Sequence, residues 1–171
     1  MSGLKKFIYD WVFPVAAAIV IALLINKFLF YKIHVPSPSM YPAIKPGDRI
    51  IVTRTYNLSK LKTGDIVVFY SEERGETLIK RLIGLPGQQV DIDEKGYVYI
   101  NGVKLEEPYV QNRDNKTASF KVPENHYLFL GDNRADSLDA RYWKNPYIDQ
   151  SEIKGKARFI IYPFNRLGGL K

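Results

Sequence analysis

Tyr97-Val98-Tyr99-Ile100-Asn101-Gly102-Val103-Lys104-Leu105 is the stretch that decides the fold class. Two short runs of β-branched and aromatic residues flank an Asn-Gly pair, and these two residue types tolerate the positive φ angles of a two-residue hairpin turn. The segment predicts an antiparallel hairpin. Outward from it the same texture continues, with short apolar runs rich in Val, Ile, Tyr and Phe punctuated by Pro and Gly. Strands are expected over residues 49–53, 66–70, 78–84, 90–92, 97–100, 127–130 and 157–162. Beyond residue 35 no long helical period appears. A short helix fits near residues 151–154 with Ser151 as its cap, and residues 111–118 are the most loop-like stretch.

The N-terminal part reads differently. Residues 11–25 are apolar throughout apart from Pro14, and after Asn26 and Lys27 the apolar character resumes over residues 28–31. A helix over residues 11–31 would rise roughly 31 Å, about the thickness of a bilayer's hydrocarbon core. Trp11 and Tyr31 lie at the ends of this run, where amphipathic rings favour headgroups, and Lys27 can snorkel. Lys5 and Lys6 before an apolar run also describe a cleaved secretory signal, but Ser37 and Ser39 follow too far downstream to make a small-x-small cleavage pair. A retained transmembrane anchor is therefore expected, ahead of a cleaved signal and of a buried core helix. Lys5, Lys6 and the terminal amine favour a cytoplasmic N-terminus, against which Lys27 and Lys32 count.

The 171 residues carry 25 basic and 18 acidic side chains, a formal net charge of +7. Residues 1–32 hold four lysines against Asp10, a net +3, which leaves +4 spread over the rest without a block. That spread argues against a nucleic-acid groove and for a lipid-adjacent start. The absence of cysteine excludes disulfides and thiolate zinc sites. Only His34 and His126 could serve a His-dependent site; neither has metal-pair spacing, and His126, ahead of an apolar strand, is expected to be structural. With the anchor subtracted, about one domain remains. The expected organisation is a tip and anchor over 1–32 and a β-rich domain over 33–171, with a small hairpin insertion about 89–126.

Three segments can carry chemistry. Val35-Pro36-Ser37-Pro38-Ser39-Met40-Tyr41-Pro42 displays two hydroxyls on a loop stiffened by three prolines, which preorganises a nucleophile as well as it suits a plain linker. In Leu78-Ile79-Lys80-Arg81-Leu82-Ile83, period-two alternation puts Lys80 on the same face as Leu78 and Leu82. Its ammonium either snorkels to water or is desolvated and loses its proton more readily. A lysine near pKa 10.4 is under ~0.1% neutral at pH 7, and a drop of about two units raises that fraction roughly a hundredfold. A neutral Lys80 could take a proton from Ser39 as histidine does in other hydrolases. The third segment, residues 131–141, is dense in Asp, Asn, Ser and Arg directly after an apolar strand; it is either a well-made turn or a loop mounted to serve a site.

Taken together these segments resemble the bacterial type I signal peptidases, serine enzymes with a Ser/Lys dyad. Four blocks carry the resemblance in order behind an apolar N-terminus: Pro36-Ser37-Pro38-Ser39-Met40-Tyr41-Pro42, Gly64-Asp65-Ile66-Val67-Val68-Phe69, Lys80-Arg81-Leu82-Ile83-Gly84-Leu85-Pro86-Gly87, and Gly131-Asp132-Asn133-Arg134 with Ser137, Asp139 and Arg141. The resemblance implies Ser39 as nucleophile, Lys80 as general base, Ser37 as a side-chain oxyanion donor, Ser137 orienting the lysine amine, and Asp139 with Arg141 as a supporting ion pair. It implies pockets lined by Val35, Pro36, Met40, Ile44, Leu78 and Ile79, positions that ordinary core or edge packing explains equally well, with the substrate added as a strand beside residues 33–37 and 77–80. Gln88, Ala43 and Ala140 depart from the family pattern, where aspartate, threonine and serine are usual; none of them is a proposed catalytic group.

The implied fold is mainly β: a single N-terminal transmembrane helix followed by a coiled antiparallel sheet or partial barrel with few short helices, the larger insertion of some relatives reduced to little more than the Asn101-Gly102 hairpin. The implied activity is removal of signal peptides from exported preproteins at the outer face of the membrane, without metal, nucleotide or organic cofactor. The partners are then the signal peptide and the lipid bilayer, with no nucleic acid; oligomeric state leaves no signature in the sequence. Two alternatives stand beside this reading. One is a membrane-tethered β-domain that binds peptides without cutting them, or an inactive partner of a peptidase. The other is a self-cleaving repressor, which would need a DNA-binding module where residues 1–32 are mostly apolar.

Overall fold

The computed structural model describes residues 3–170; Met1, Ser2 and Lys171 lie outside the described residues, as do the side chains of Leu4, Lys5, Ile8, Tyr9 and Asn26. The terminal amine and Lys5, two of the groups invoked for orientation, fall there. The chain divides into two units, Met1–Tyr31 and Lys32–Lys171. The first is helical: α1 (Gly3–Phe7), a π-helical stretch Ile8–Val12, and α2 (Phe13–Phe28). Pro14 sits in the first turn of α2, where its missing N–H costs nothing.

The 16 residues of α2 rise only about 24 Å, and among the described residues no helix is long and apolar enough to cross a membrane. This corrects the expected continuous helix over residues 11–31. Trp11 and Val12 belong to the π-helical stretch, and the chain is extended from Phe30 onward. Phe30-Tyr31-Lys32-Ile33-His34 alternates in burial as a strand does, and apolarity alone could not separate that run from the helix before it.

Among the described residues twelve strands follow in chain order: β1 (Phe30–His34), β2 (Arg49–Arg54), β3 (Ile66–Ser71), β4 (Glu76–Gly84), β5 (Gln89–Ile92), β6 (Val98–Ile100), β7 (Val103–Lys104), β8 (Ala118–Lys121), β9 (His126–Leu130), β10 (Tyr147–Asp149), β11 (Ile153–Tyr162) and β12 (Gly168–Gly169). They form a larger sheet in the order β1-β2-β11-β3-β4-β9-β10, with β12 on β11, and a smaller one in the order β7-β6-β5-β8. The described pairings are antiparallel, and β11 carries register shifts against both neighbours, which add local twist. The chain is thus mainly β, with helical turns of three residues between the strands.

The decisive hairpin forms as its sequence predicts: Asn101 and Gly102 adopt φ of 50° and 80°, and Ile100 pairs with Val103. Its surroundings are larger than expected. Because β5 pairs with β8 on its other side, Val90 opposite Phe120, the segment is a four-stranded sheet and not little more than a hairpin. Strands β1, β8, β10 and β12 were not legible as such; each is short, and β8 begins at Ala118, inside the stretch expected to be loop. The short helix near residue 151 is a single turn, Gln150–Glu152, capped by the Asp149 carboxylate, which accepts from Ser151 N at 2.8 Å. Ser151 is therefore the capped residue and not the cap.

One apolar cluster runs through both sheets, from Val67, Phe69, Leu82 and Phe129 to Val90, Val98 and Phe120. Phe69 and Phe129 stack with ring centroids 4.3 Å apart at its centre. Strands β3, β4 and β9 are consequently buried on both faces, and any charged side chain they carry must be paired or lose its charge.

Candidate active site

Strand β4 places Lys80 opposite Val67 of β3, and its next residue, Arg81, opposite Leu130 of β9. The antiparallel register, continued one residue past Leu130, brings Gly131 alongside Lys80. Alternation sends Lys80 and Arg81 to opposite faces, and both are buried, at 3% and 1% exposure. Arg81 satisfies its charge with a bidentate pair to Asp132 at 2.6 and 2.7 Å and a hydrogen bond to Gly64 O at 2.6 Å, while its guanidinium lies 3.8 Å from the Tyr109 ring centre. Among the described residues Lys80 has no carboxylate within ion-pair distance. Its amine donates to the Ser137 hydroxyl at 3.1 Å.

That environment lowers the Lys80 pKa from its ordinary value to about 8. Loss of water around the ammonium is the main cause; Asp139 pulls the value up, and Arg141, paired with Asp139 at 2.8 Å, pushes it back down. Around pH 7 roughly a tenth of such a lysine is neutral, against less than ~0.1% for a solvated one.

The proline-rich loop is anchored at both ends. Val35 N donates to Asp48 O at 3.0 Å and Gly47 N returns to Val35 O at 2.8 Å, while the Asp48 carboxylate accepts from Arg166 at 2.9 and 3.0 Å. Ser39, 7% exposed, shares a hydrogen bond with Ser37 across 3.3 Å between the two hydroxyls. Among the described hydrogen bonds none joins Ser39 Oγ to Lys80 Nζ directly, and none uses the Ser39 backbone N–H as donor. Either hydroxyl can be the donor in the Ser37–Ser39 bond, so the Ser39 proton is not committed to Ser37, and such contacts commonly tighten only when substrate binds.

Residues 131–141 hold the two halves together. Gly131 N donates to Asp139 Oδ2 at 2.9 Å, Arg141 donates to Asp139 and Asp114 at 2.8 Å each, and Ser137 is turned inward at 4% exposure. A Cβ on Gly131 would lie 2.1 Å from Ser137 Oγ and 2.6 Å from Ser39 O, so only glycine lets the lysine's partner and the serine backbone approach this closely.

A groove of about 380 Å³ opens onto these groups. Residues 33–37 and Ser39 line one side and residues 76–80 the other, so Val35, Pro36, Leu78 and Ile79 meet Ser37, Ser39 and Lys80 in one space. Met40 and Ile44 are not among its lining residues. Both are fully buried, because the turn closed by Ile44 N to Met40 O at 2.8 Å points them into the interior. Ser137, Asp139 and Arg141 lie behind the lysine and outside the groove lining. His126 is elsewhere, its Nδ1 2.9 Å from Glu124 O, while His34 is on the groove.

Sequence reasoning missed several groups. Arg81 and Asp132 could have been found, since a charge within the apolar run of β4 demands a buried partner. The buried pair of Glu107 with Arg134 left no signal at that distance in sequence. Asn133 donates its N–H to Ser39 O at 3.1 Å and its side-chain Nδ2 to Pro38 O at 3.3 Å, roles that no motif spells out. Among the described residues no group of His, Asp and Glu side chains is arranged to hold a metal ion.

Comparison with known proteins gives a consistent result. The family model described as "Signal peptidase, peptidase S26" matches residues 8–162. A signal peptidase I of Bacillus licheniformis is 37% identical over 175 residues, covering 95% of this chain and 93% of that protein. Signal peptidase I S of Bacillus subtilis is 36% identical over 176 residues, covering 95% and 94%. Among solved structures, a signal peptidase I of Enterococcus faecalis is 36% identical and covers 58% of this chain and 98% of its own, with a TM-score of 0.49.

Proposed function

The chain belongs to the signal peptidase family, peptidase S26, and from that premise we propose that it is a serine endopeptidase that removes the signal peptides of exported preproteins, with Ser39 as nucleophile and Lys80 as general base. The observation that carries the dyad is the buried Lys80 amine: stripped of water, paired with no carboxylate among the described residues, its pKa near 8, and facing the same groove as Ser39.

The chemistry is acyl transfer. Neutral Lys80 takes the Ser39 proton as the oxygen attacks the peptide carbonyl, then passes it to the leaving amine. The same amine next activates a water that releases the acyl group from Ser39. The tetrahedral oxyanion is held by the Ser39 backbone N–H, which is uncommitted among the described hydrogen bonds, and by the Ser37 hydroxyl; such donors are commonly worth about 3 to 4 kcal/mol each. Ser137 orients the amine, and the Asp139–Arg141 pair holds the loop that carries Ser137. An extended substrate adds as a strand in the groove between residues 33–37 and 76–80. Val35, Pro36, Leu78 and Ile79 bound its pockets, with Met40 and Ile44 supporting the floor from within. No cofactor enters any step.

The proposal extends to location. The exposed apolar side chains of residues 11–28, among them Trp11, Phe13, Ile19 and Leu23, support an N-terminal membrane tether over residues 1–32, with the domain of residues 33–171 on the extracytoplasmic face. The register shifts along β11 support a coiled, partly barrel-like main sheet. The test uses the full chain in membrane vesicles with a purified preprotein. Processing should persist with a chelator present and disappear in Ser39→Ala and in Lys80→Ala; substantial cleavage by either variant would refute the dyad.

A further inference from the structure

We propose that Asn133, steered by Asn112, is a positioning residue that fixes both peptide planes flanking Ser39, and thereby aims the nucleophile and its oxyanion-binding N–H together. The proposal rests on the assignment of Ser39 as nucleophile. Asn133 is buried, at 7% exposure, on the segment that follows β9. Its backbone N–H donates to Ser39 O at 3.1 Å and its Nδ2 to Pro38 O at 3.3 Å. Its Oδ1 accepts from Asn112 Nδ2 at 3.1 Å, and Asn112 O in turn accepts from Ala135 N at 3.1 Å.

The consequence lies in which atoms share a plane. Pro38 O belongs to the same rigid peptide unit as the Ser39 N–H, pointing the opposite way across the bond. Holding that oxygen from one side turns the N–H toward the other, and accepting a hydrogen bond there strengthens the N–H as a donor. Ser39 O belongs to the next peptide unit. Tyr41 N also donates to Pro38 O, at 2.9 Å, within the turn; Asn133 adds the second grip on that unit and the hold on the next, so φ and ψ of Ser39 are set together, and with them the direction in which its hydroxyl leaves the backbone.

Only an amide can do this. Pro38 O is purely an acceptor, so it must face the Nδ2, which leaves Oδ1 toward Asn112 and requires that Asn112 present its own NH₂. The exposed Asn112, on the loop before β8, therefore selects the orientation of the buried amide that steers the nucleophile.

This logic gives an order of activities that packing alone would not. Asn133→Asp keeps the shape but sets a carboxylate oxygen against the Pro38 carbonyl, so it should be the slower variant; a merely structural residue would tolerate the isosteric change better than Asn133→Ala. In preprotein cleavage by the full chain in detergent micelles, Asn133→Ala should lower kcat by roughly tenfold and Asn133→Asp by up to ~100-fold, the scale of a 1 Å misplacement, with KM little changed. In Asn133→Ala the acid limb of the pH profile, set by Lys80 and Ser137, should not move, whereas the carboxylate of Asn133→Asp should shift it, if at all, to higher pH. Asn112→Asp should turn the Asn133 amide round and also lower kcat, while Asn112→Ala should be milder. The Asn112 variants keep the test open if the Asn133 variants do not fold. Unchanged kcat in the folded variants, a loss confined to KM, or Asn133→Asp outperforming Asn133→Ala would each overturn the proposal. Ser39→Ala separates the two failures: an active Ser39→Ala removes the underlying assignment, whereas an inactive Ser39→Ala beside normal Asn133 variants removes the positioning role alone.

Discussion

The Lys80 amine donates to the Ser137 hydroxyl across 3.1 Å, although the two residues are 57 positions apart in the chain. A hydroxyl can accept this bond without supplying charge, so the amine is oriented while its proton stays loosely held. A carboxylate in the same place would stabilise the ammonium and raise its pKa. The first prediction follows directly. The acid limb of kcat/KM should rise through about pH 8, the pKa to which burial lowers Lys80. A profile that is level from about pH 6 to 10 would remove Lys80 as the base.

Ser137→Ala should lower kcat by roughly tenfold or more, because the amine loses the partner that aims it. The hydroxyl also favours the charged form slightly, so its removal should move the acid limb to lower pH, not higher. Titrating activity of this variant against the parent chain decides both points.

The activated lysine costs stability. Its folded pKa, about 8, is depressed below the ordinary value, so between about pH 8 and 10.5 the unfolded chain binds more protons and stability rises with pH. The penalty is fully present below that window and amounts to about 3 kcal/mol at most. Lys80→Met should therefore be inactive yet have a higher Tm than the parent near pH 7, and the gap should narrow as the pH rises from about 8 to 10.5. Equal or lower stability of Lys80→Met at neutral pH would contradict the desolvated amine.

On the opposite face of β4, Arg81 and Asp132 are buried at 1% and 0% exposure and paired at 2.6 Å. Burial pushes the Asp132 carboxyl upward, and Arg81 pulls it back. Either Arg81→Met or Asp132→Leu alone strands a charge and should cost about 3 to 5 kcal/mol, whereas the double substitution should recover most of that loss. Denaturant unfolding of the three variants measures the coupling; simple additivity would show that the pair is not acting as a unit.

Gly131→Ala should abolish most activity with the sheet intact. The new Cβ, 2.1 Å from Ser137 Oγ and 2.6 Å from Ser39 O, must push apart the groups that serve the lysine and the nucleophile. A fall in kcat of about 100-fold is expected, with a stability loss of about 1 to 3 kcal/mol. Near-normal turnover would mean that the two segments tolerate separation.

Much of this was legible in the sequence because it is local. The Asn-Gly turn requires positive φ whatever surrounds it, and residues 97–105 form the hairpin accordingly. The alternation along residues 78–83 correctly parted Lys80 from Arg81. What was read poorly depended on partners. Phe30 and Tyr31 look the same whether they extend a helix or open a strand, and pairing within the sheet chose the strand. Strand β8 has little intrinsic preference and is a strand because β5 offers it an edge. For Met40 and Ile44 the sequence left pocket lining and core packing equally open, and the fold buries both side chains.

The amino-acid sequence by itself determined that this chain is mainly β behind an apolar N-terminal segment, and which serine and which lysine are candidates for chemistry, since periodicity, turn preference and residue type are properties of neighbours along the chain. Whether that lysine is dry, what its amine touches, and which residues grip the serine's backbone were decided only by the tertiary structure. Desolvation and hydrogen-bond geometry depend on groups that approach from distant positions, Ser137 and Asn133 among them, and no local pattern encodes the distance between them.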